Sequence, residues 1–392
     1  MHQPFTFAPM PRLVMGPKTV DGLGEHAARI GRSVLLITGS DSLERAGHLP
    51  VILDNLQSSA VTVQHHRIAG EPTPAMIDGA VAQFRNQAVD VLVAVGGGSV
   101  LDAGKAIAAM LKQSGSVLDC LEGVGTQAPL GLSLPVIAVP TTSGTGSEAT
   151  KNAVISQVGP SGFKKSLRHN NYIPVLAILD PILCVSAPPL VTAACGMDAL
   201  TQLIESYVST HASALTDALA LDGMHHLIPA LPEACGKGAA DVGVRAAVAY
   251  GAFLSGTTLA NAGLGVVHGV AGPMGGIVDI PHGIACANLL PFAVKATIEN
   301  LVAAQTSEST SAIEKYARIG QRFGAHYTDR LDCCRHLVDS LYRWLDELGL
   351  PRLARFGLTD AHVDHLVPMA ANKKNPLPLS ADQIKAMIRD RL

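Results

Sequence analysis

Three glycines and a serine, Gly96-Gly97-Gly98-Ser99, follow the uninterrupted apolar run Val89–Val95 and lead straight into the helical pattern VLDAGKAIAAM. A helix that opens on bare backbone offers unpaired N–H groups and the positive end of its dipole. Glycines let a phosphate reach them without a side-chain clash. The spelling is not the GxGxxG of the common dinucleotide turn, so a tight structural turn is the competing reading. Asp102 and Lys105 fall on the first turns of that helix, and Asp102 either holds the loop by hydrogen bonds or complements the dipole. A second turn, Thr141 to Ser147, sets five hydroxyls and two glycines within seven residues at the end of the run Pro135–Val139. Ligands of open α/β sheets bind at such strand ends, where hydroxyls can bond ribose and phosphate oxygens.

Further along, Asp198 and Gln202 stand four residues apart, so on a helix their side chains meet on one face. His268 and His282 lie in separate segments, and His282, between Pro281 and Gly283, marks a helix start. Taken singly, each has a plain structural reading: an acid paired with a neighbouring cation, a hydrogen-bonding amide, a satisfied core histidine. Glu205 reads as structural.

The elements needed to position these groups follow from periodicity. Ser33–Thr38, Val61–His65, Val89–Val95, Pro135–Val139 and Val175–Leu179 are short β-branched and apolar runs, as in strands covered on both faces. Thr73–Ala88, with Thr as N-cap and Pro next, and Val100–Leu111 read as helices between them. This alternation predicts an α/β unit. After about Pro188 the strand-like runs stop, and Val191–Ser209, Leu215–Leu231, Val242–Thr258, Ala312–Phe323, Cys334–Leu348 and Asp382–Arg391 read as helices. The expected division is an α/β unit at 1–187 and a helical unit at 188–392.

Composition narrows the function classes. The chain has 392 residues, 48% hydrophobic and 16% charged, with a formal net charge of −3. That balance argues against nucleic acid or an anionic membrane as the main partner. No run approaches the roughly 20 apolar residues of a membrane span, and the opening MHQPFTFAPMPRLVMG lacks the pattern of a secretion signal. The pairs Lys164-Lys165 and Lys373-Lys374 read as solvated faces, the second more firmly. The seven cysteines contain no CxxC pair. They read as buried small apolar residues of a cytoplasmic protein rather than a disulfide or thiolate-zinc framework.

Four segments in order, GGGSVLDAGKAIA, PTTSGTGSEAT, CGMDALTQLIESYVS and GLGVVHGVAGPMGGIVDIPHGIACANLLP, give the chain a likeness over residues 5–392. It resembles the iron-containing (group III) alcohol dehydrogenases, which share a dehydroquinate synthase-like fold. The resemblance implies an N-terminal α/β dinucleotide-binding domain, an all-α C-terminal domain and an active site between them. It also implies NAD or NADP as cofactor, a divalent metal (iron or zinc), a small alcohol or carbonyl substrate, and a homodimer or larger homo-oligomer. By resemblance Gly97, Gly98 and Ser99 hold the pyrophosphate, with Asp102 beside them. Thr141, Thr142 and Thr145 line the cofactor, Lys164 contacts its ribose and Leu179 packs nearby. Gly39 stands where many NAD-preferring members have an acid, so repulsion of a 2′-phosphate is relieved and NADPH is admitted.

The metal set implied by the family is an Asp and three His. Asp198, His268 and His282 match it, and Gln202 replaces the remaining His, which should weaken binding or shift it toward oxygen ligands. Gly272 replaces a His that assists proton transfer in many relatives, leaving the proton path unassigned. The expected reaction is hydride transfer between a nicotinamide and an alcohol or carbonyl carbon. Three alternatives stay open: a maleylacetate reductase-like enzyme for an oxo-acid with little metal dependence, a catalytically inactive nucleotide-binding protein, and a non-redox enzyme resembling dehydroquinate synthase.

Overall fold

The computed structural model describes residues 4–159 and 161–392; the first three residues of the segment read for a secretion signal lie outside them. Eight strands run β1 Arg12–Met15, β2 Ser33–Thr38, β3 Thr62–Arg67, β4 Val91–Gly96, β5 Val136–Pro140, β6 Asn152–Gln157, β7 Phe163–Arg168 and β8 Leu176–Leu179. Six of them form a parallel sheet in the order β1-β8-β5-β4-β2-β3, and β6 and β7 form a separate antiparallel hairpin. β4 and β5 are buried along their whole length. Alternate side chains of β4 enter different cores. Leu92 and Ala94 pack with the helices Pro74–Phe84 and Gly98–Met110. Val91, Val93 and Val95 pack with Leu49, Ile52 and Leu56 on the opposite face. A strand covered on both sides needs apolar residues at every position, which is why the run has no polar alternation.

The hairpin and β1 are absent from the expected strands. β1 is short and half-exposed at the sheet edge. In the hairpin one face is apolar and one polar: Ala153, Ile155 and Leu167 join the core under the Gly98–Met110 helix. Asn152, Val154, Lys164, Ser166 and Arg168, at the alternate positions, floor a cleft.

From Pro189 onward the described residues contain only helices and loops: Pro189–Val208, Ala214–Cys235, Val242–Ala262, Val266–Ile277, His282–Ala304, Ser307–Arg322, Arg330–Glu347, the short Asp360–Leu366, and Ala381–Arg389. Val266–Ile277 is an addition to the helices expected there, and the helix start expected at His282 proves to open a 23-residue helix, His282–Ala304. The first contains Pro273 and several glycines, the second Pro291, and both are buried on most sides, so neither shows an apolar stripe. The glycines mark close backbone approach. A Cβ on Gly269 would stand 1.6 Å from the Ala371 carbonyl oxygen, and one on Gly283 would stand 2.2 Å from that of Ala194. The core of this half takes in Ala177 and Leu179 of β8. No described helix is long and apolar enough to cross a membrane.

Candidate active site

The parallel pairing of β4 with β5 sets Gly96 opposite Pro140, so the two turns at their ends lie side by side. Gly97 caps the Gly98–Met110 helix with extended backbone and no side-chain cap, leaving the first N–H groups to a ligand. The two turns explain each other's composition. A Cβ on Gly97 would meet Thr142 Oγ1 at 3.2 Å, and one on Gly98 would meet Thr145 Cγ2 at 2.5 Å. The Thr141 N–H donates to Gly96 O at 3.0 Å. On its other side the hydroxyl turn rests on the helical half: Gly146, at φ 60°, would place a Cβ 2.4 Å from Gly256 Cα.

Lys105 locks this arrangement. It is 1% exposed and donates to Ser147 O at 2.8 Å, to Thr150 Oγ1 at 3.0 Å and to Asn152 O. Its ion pair with Asp102 measures 3.2 Å. Burial pulls its pKa below the usual lysine range, against the opposing pull of Asp102. The Asp102 carboxylate accepts from the Ser147 hydroxyl and, at 3.1 Å, from the Val154 N–H. Of its two expected roles, Asp102 therefore fills that of holding the loop, while still lining the cleft.

A cleft of about 550 Å³ joins the halves, and Gly98, Ser99, Asp102, Thr145, Lys164, Asp198, Gln202, His268, Gly272 and His282 all line it. Lys164 pairs with Glu71 at 2.6 and 2.7 Å instead of facing bulk solvent. Thr142 is not among the cleft-lining residues and borders a separate small pocket with Cys195 and Arg245. Gly39 ends β2, where an added Cβ makes only ordinary contact, 3.7 Å from Val100. Leu179 is 1% exposed inside the helical core and does not line the cleft. Lys373 and Lys374 also line the cleft; Lys373 is exposed and Lys374 half-buried, so the pair is solvated as expected but on the cleft wall. Their loop is stitched down by Ala371 N–H to Gly269 O at 3.2 Å, Lys374 N–H to Leu264 O at 2.9 Å and Thr210 N–H to Lys374 O at 3.0 Å. Lys373 holds a left-handed φ of 46°, a backbone state that a non-glycine keeps only when its surroundings impose it.

Opposite the turns, three helices bring four ligand atoms together. Asp198 comes from Pro189–Val208, His268 from Val266–Ile277, and His282 and Cys286 from the first turns of His282–Ala304. One oxygen, two ring nitrogens and one sulfur lie within 4.8 Å of one another. Asp198 Oδ1 is 3.2 Å from His268 Nε2 and 3.9 Å from His282 Nε2. Glu205, two helical turns beyond Asp198, meets His268 Nδ1 at 2.6 Å and accepts the Val267 N–H at 2.7 Å. This carboxylate fixes the ring so that Nε2 faces the cluster, the usual outer support of a metal-binding histidine. Burial works against a charged His268, yet Cys286, Glu205 and the bond to Asp198 raise its pKa well above the ordinary value. Burial keeps His282 below that value despite Asp198, and its buried Nδ1 has no partner among the described residues. Two buried carboxylates around one imidazole leave an excess of negative charge, so the donor set fits a divalent cation.

Gln202 lines the cleft together with Asp198, His268 and His282. Its Oε1 lies 2.6 Å from Ser255 Oγ. Around Gly272 an added Cβ would find nothing within 4 Å, so the place of the relatives' histidine is open room in the cleft. Glu205 and Cys286 were missed as site residues. Their spacing carried a signal: Glu205 lies seven residues after Asp198, and Cys286 lies four after His282 at a helix start.

Comparison with known proteins agrees with this architecture. The family profile "Iron-containing alcohol dehydrogenase" matches residues 10–181, and "Fe-containing alcohol dehydrogenase family, C-terminal" matches residues 192–392. The chain is 33% identical to long-chain-alcohol dehydrogenase 1 of Geobacillus thermodenitrificans, over 97% of this chain and 94% of that one. It is 30% identical to the 1,3-propanediol dehydrogenase of Klebsiella pneumoniae, over 95% of each. The crystal structure of a 1,3-propanediol oxidoreductase superimposes with a TM-score of 0.88 at 28% identity over the whole of both chains. Fold, motifs and relatives agree, and the chain belongs to the iron-containing alcohol dehydrogenase family as an oxidoreductase of the alcohol dehydrogenase type.

Proposed function

We propose that this protein interconverts a small alcohol and its aldehyde or ketone by hydride transfer with NAD or NADP. The observation that carries the reading is the single cleft walled by both the nucleotide-type turns and the Asp198–His268–His282 cluster. In it residues 1–187 act as the nucleotide domain and residues 188–392 as the metal and substrate domain, and the chain works as a homodimer or larger assembly. The nicotinamide would carry the hydride, and a divalent cation such as iron or zinc would polarise the substrate oxygen.

The chain's own residues do the rest. The open N–H groups at Gly97, Gly98 and Ser99 take the pyrophosphate, with Thr141, Thr142 and Thr145 along the nucleotide. Lys164, steadied by Glu71, meets the ribose, Gly39 leaves room by the adenosine ribose, and Leu179 backs the pocket from the core. Asp198, His268 and His282 hold the cation, and Glu205 aligns His268. Both ring nitrogens of His268 are engaged, and His282 is committed to the cation, so neither ring is free to carry the proton.

A second reading, a maleylacetate reductase-like reduction of an anionic oxo-acid, is favoured by Lys151, Lys373 and Lys374 on the cleft wall. NADH and NADPH oxidation with short aldehydes, matched oxo-acids and chelator tests both. Aldehyde turnover that disappears with chelator and returns with metal is the expected result. Full turnover after complete metal removal would overturn metal assistance. An oxo-acid KM at least about tenfold below that of the neutral analogue, lost in Lys373→Ala, would establish the second reading. Nucleotide binding with no turnover of any substrate would point to an inactive binding protein.

A further inference from the structure

We propose that Cys286 is the fourth protein ligand of the cation held by Asp198, His268 and His282, in the role expected of Gln202, and that its sulfur biases the site toward zinc and cobalt over magnesium and manganese. The inference rests on the reading of this cluster as a cation site.

Distances support it first. With metal–sulfur bonds of about 2.3 Å and metal–nitrogen bonds of about 2.0–2.1 Å, a tetrahedral site separates sulfur from nitrogen by about 3.6 Å. Cys286 Sγ lies 3.6 Å from His282 Nε2 and 3.7 Å from His268 Nε2. The same reasoning gives about 3.3 Å between imidazole nitrogen and carboxylate oxygen, beside the 3.2 and 3.9 Å found for Asp198.

The local fold points the same way. His282 and Cys286 are one turn apart on one helix face, which carries both to the cluster as a unit. Two of the other buried thiols behave differently. Cys333 and Cys334 donate to the backbone carbonyls of Tyr327 and Ile313, as small core residues do. Cys286, fully buried, turns its sulfur to two ring nitrogens.

Charge agrees as well. A carboxylate and a thiolate balance a divalent cation, and the thiol proton leaves to solvent as the cation binds. Gln202 Oε1 lies 2.6 Å from Ser255 Oγ, and as a neutral oxygen donor it adds no charge to balance the cation. A thiolate is a soft donor suited to zinc and cobalt, whereas magnesium and manganese prefer oxygen.

Cobalt(II) loaded into the purified full-length protein reports sulfur ligation directly, through a thiolate-to-cobalt charge-transfer band in the near ultraviolet. The wild type should show the band, Cys286→Ser should lose it, and Gln202→Ala should keep it. Zinc affinity, from competition with a chromophoric chelator, should fall at least about a hundredfold in Cys286→Ser, beyond the effect of losing an outer-sphere partner. Stoichiometric cobalt in the wild type without the band would overturn the sulfur ligand while leaving the cation site intact. So would loss of the band in Gln202→Ala with retention in Cys286→Ser. Failure of the wild type to bind cobalt or zinc at all would remove the cation reading and this inference with it. The wild-type spectrum needs no variant, so a misfolded mutant cannot decide the matter.

Discussion

The two walls of the cleft are made of different material. The wall proposed for the nucleotide is backbone: two turns at neighbouring strand ends, in which glycines exist because threonines of the other turn press against them. The cluster wall is side chain: single atoms from Asp198, His268, His282 and Cys286, delivered by three helices and braced by Glu205. A wall of amides depends on what must be missing, since any added carbon obstructs it. A wall of ligand atoms depends on what must be present, since one deleted atom opens it.

The difference can be broken or sharpened by substitution. The largest effect is expected for Gly98→Val. Its Cβ would fall 2.5 Å from Thr145, and NADH affinity, read by nucleotide fluorescence, should drop roughly a hundredfold, about 2.7 kcal/mol. Metal content should be unchanged; unaltered NADH binding would show that the turn is not a nucleotide cradle. Next comes Glu205→Gln, which keeps shape but removes the charge behind His268. Zinc affinity should fall about 10- to 100-fold with NADH affinity intact, and a parallel loss of both would mean that the walls are not separable. The smallest effect is expected for Gly39→Asp, where the added carbon has room. An exposed carboxylate near a 2′-phosphate is worth on the order of 1 kcal/mol, so preference should move about fivefold toward NADH. An unchanged NADPH to NADH ratio would place the 2′ position elsewhere.

This contrast also decides what could be read from sequence. β4 and β5 were legible because both faces are covered and every residue is apolar. Their turns were legible because backbone sites are spelled contiguously. The β6–β7 hairpin escaped because its alternate residues face the cleft, so Lys164, Ser166 and Arg168 break the apolar run. Val266–Ile277 and the length of the helix opening at His282 escaped because glycine and proline, ordinarily helix breakers, are tolerated where helix backbones touch. In the cluster, family likeness pointed to Asp198, His268 and His282 but also to Gln202, whose carbonyl lies against Ser255. Cys286 was read as filler because cysteine in a buried run usually is. The Lys373-Lys374 pair was read as solvated, which it is, but its place on the cleft wall was not legible because long-range backbone bonds to residues 210, 264 and 269 set it.

Those last bonds give the tail of the chain a hold on catalysis out of proportion to its place. The strap from Ala371 to Lys374 lies across the start of the helix that carries His268 and shelters the Glu205 side of the cluster. An early stop codon just before it would spare Asp198, His268, His282, Cys286 and both turns, yet would strip the cover from the Glu205 side of the cluster. The carboxyl end is therefore a poor place to shorten this protein.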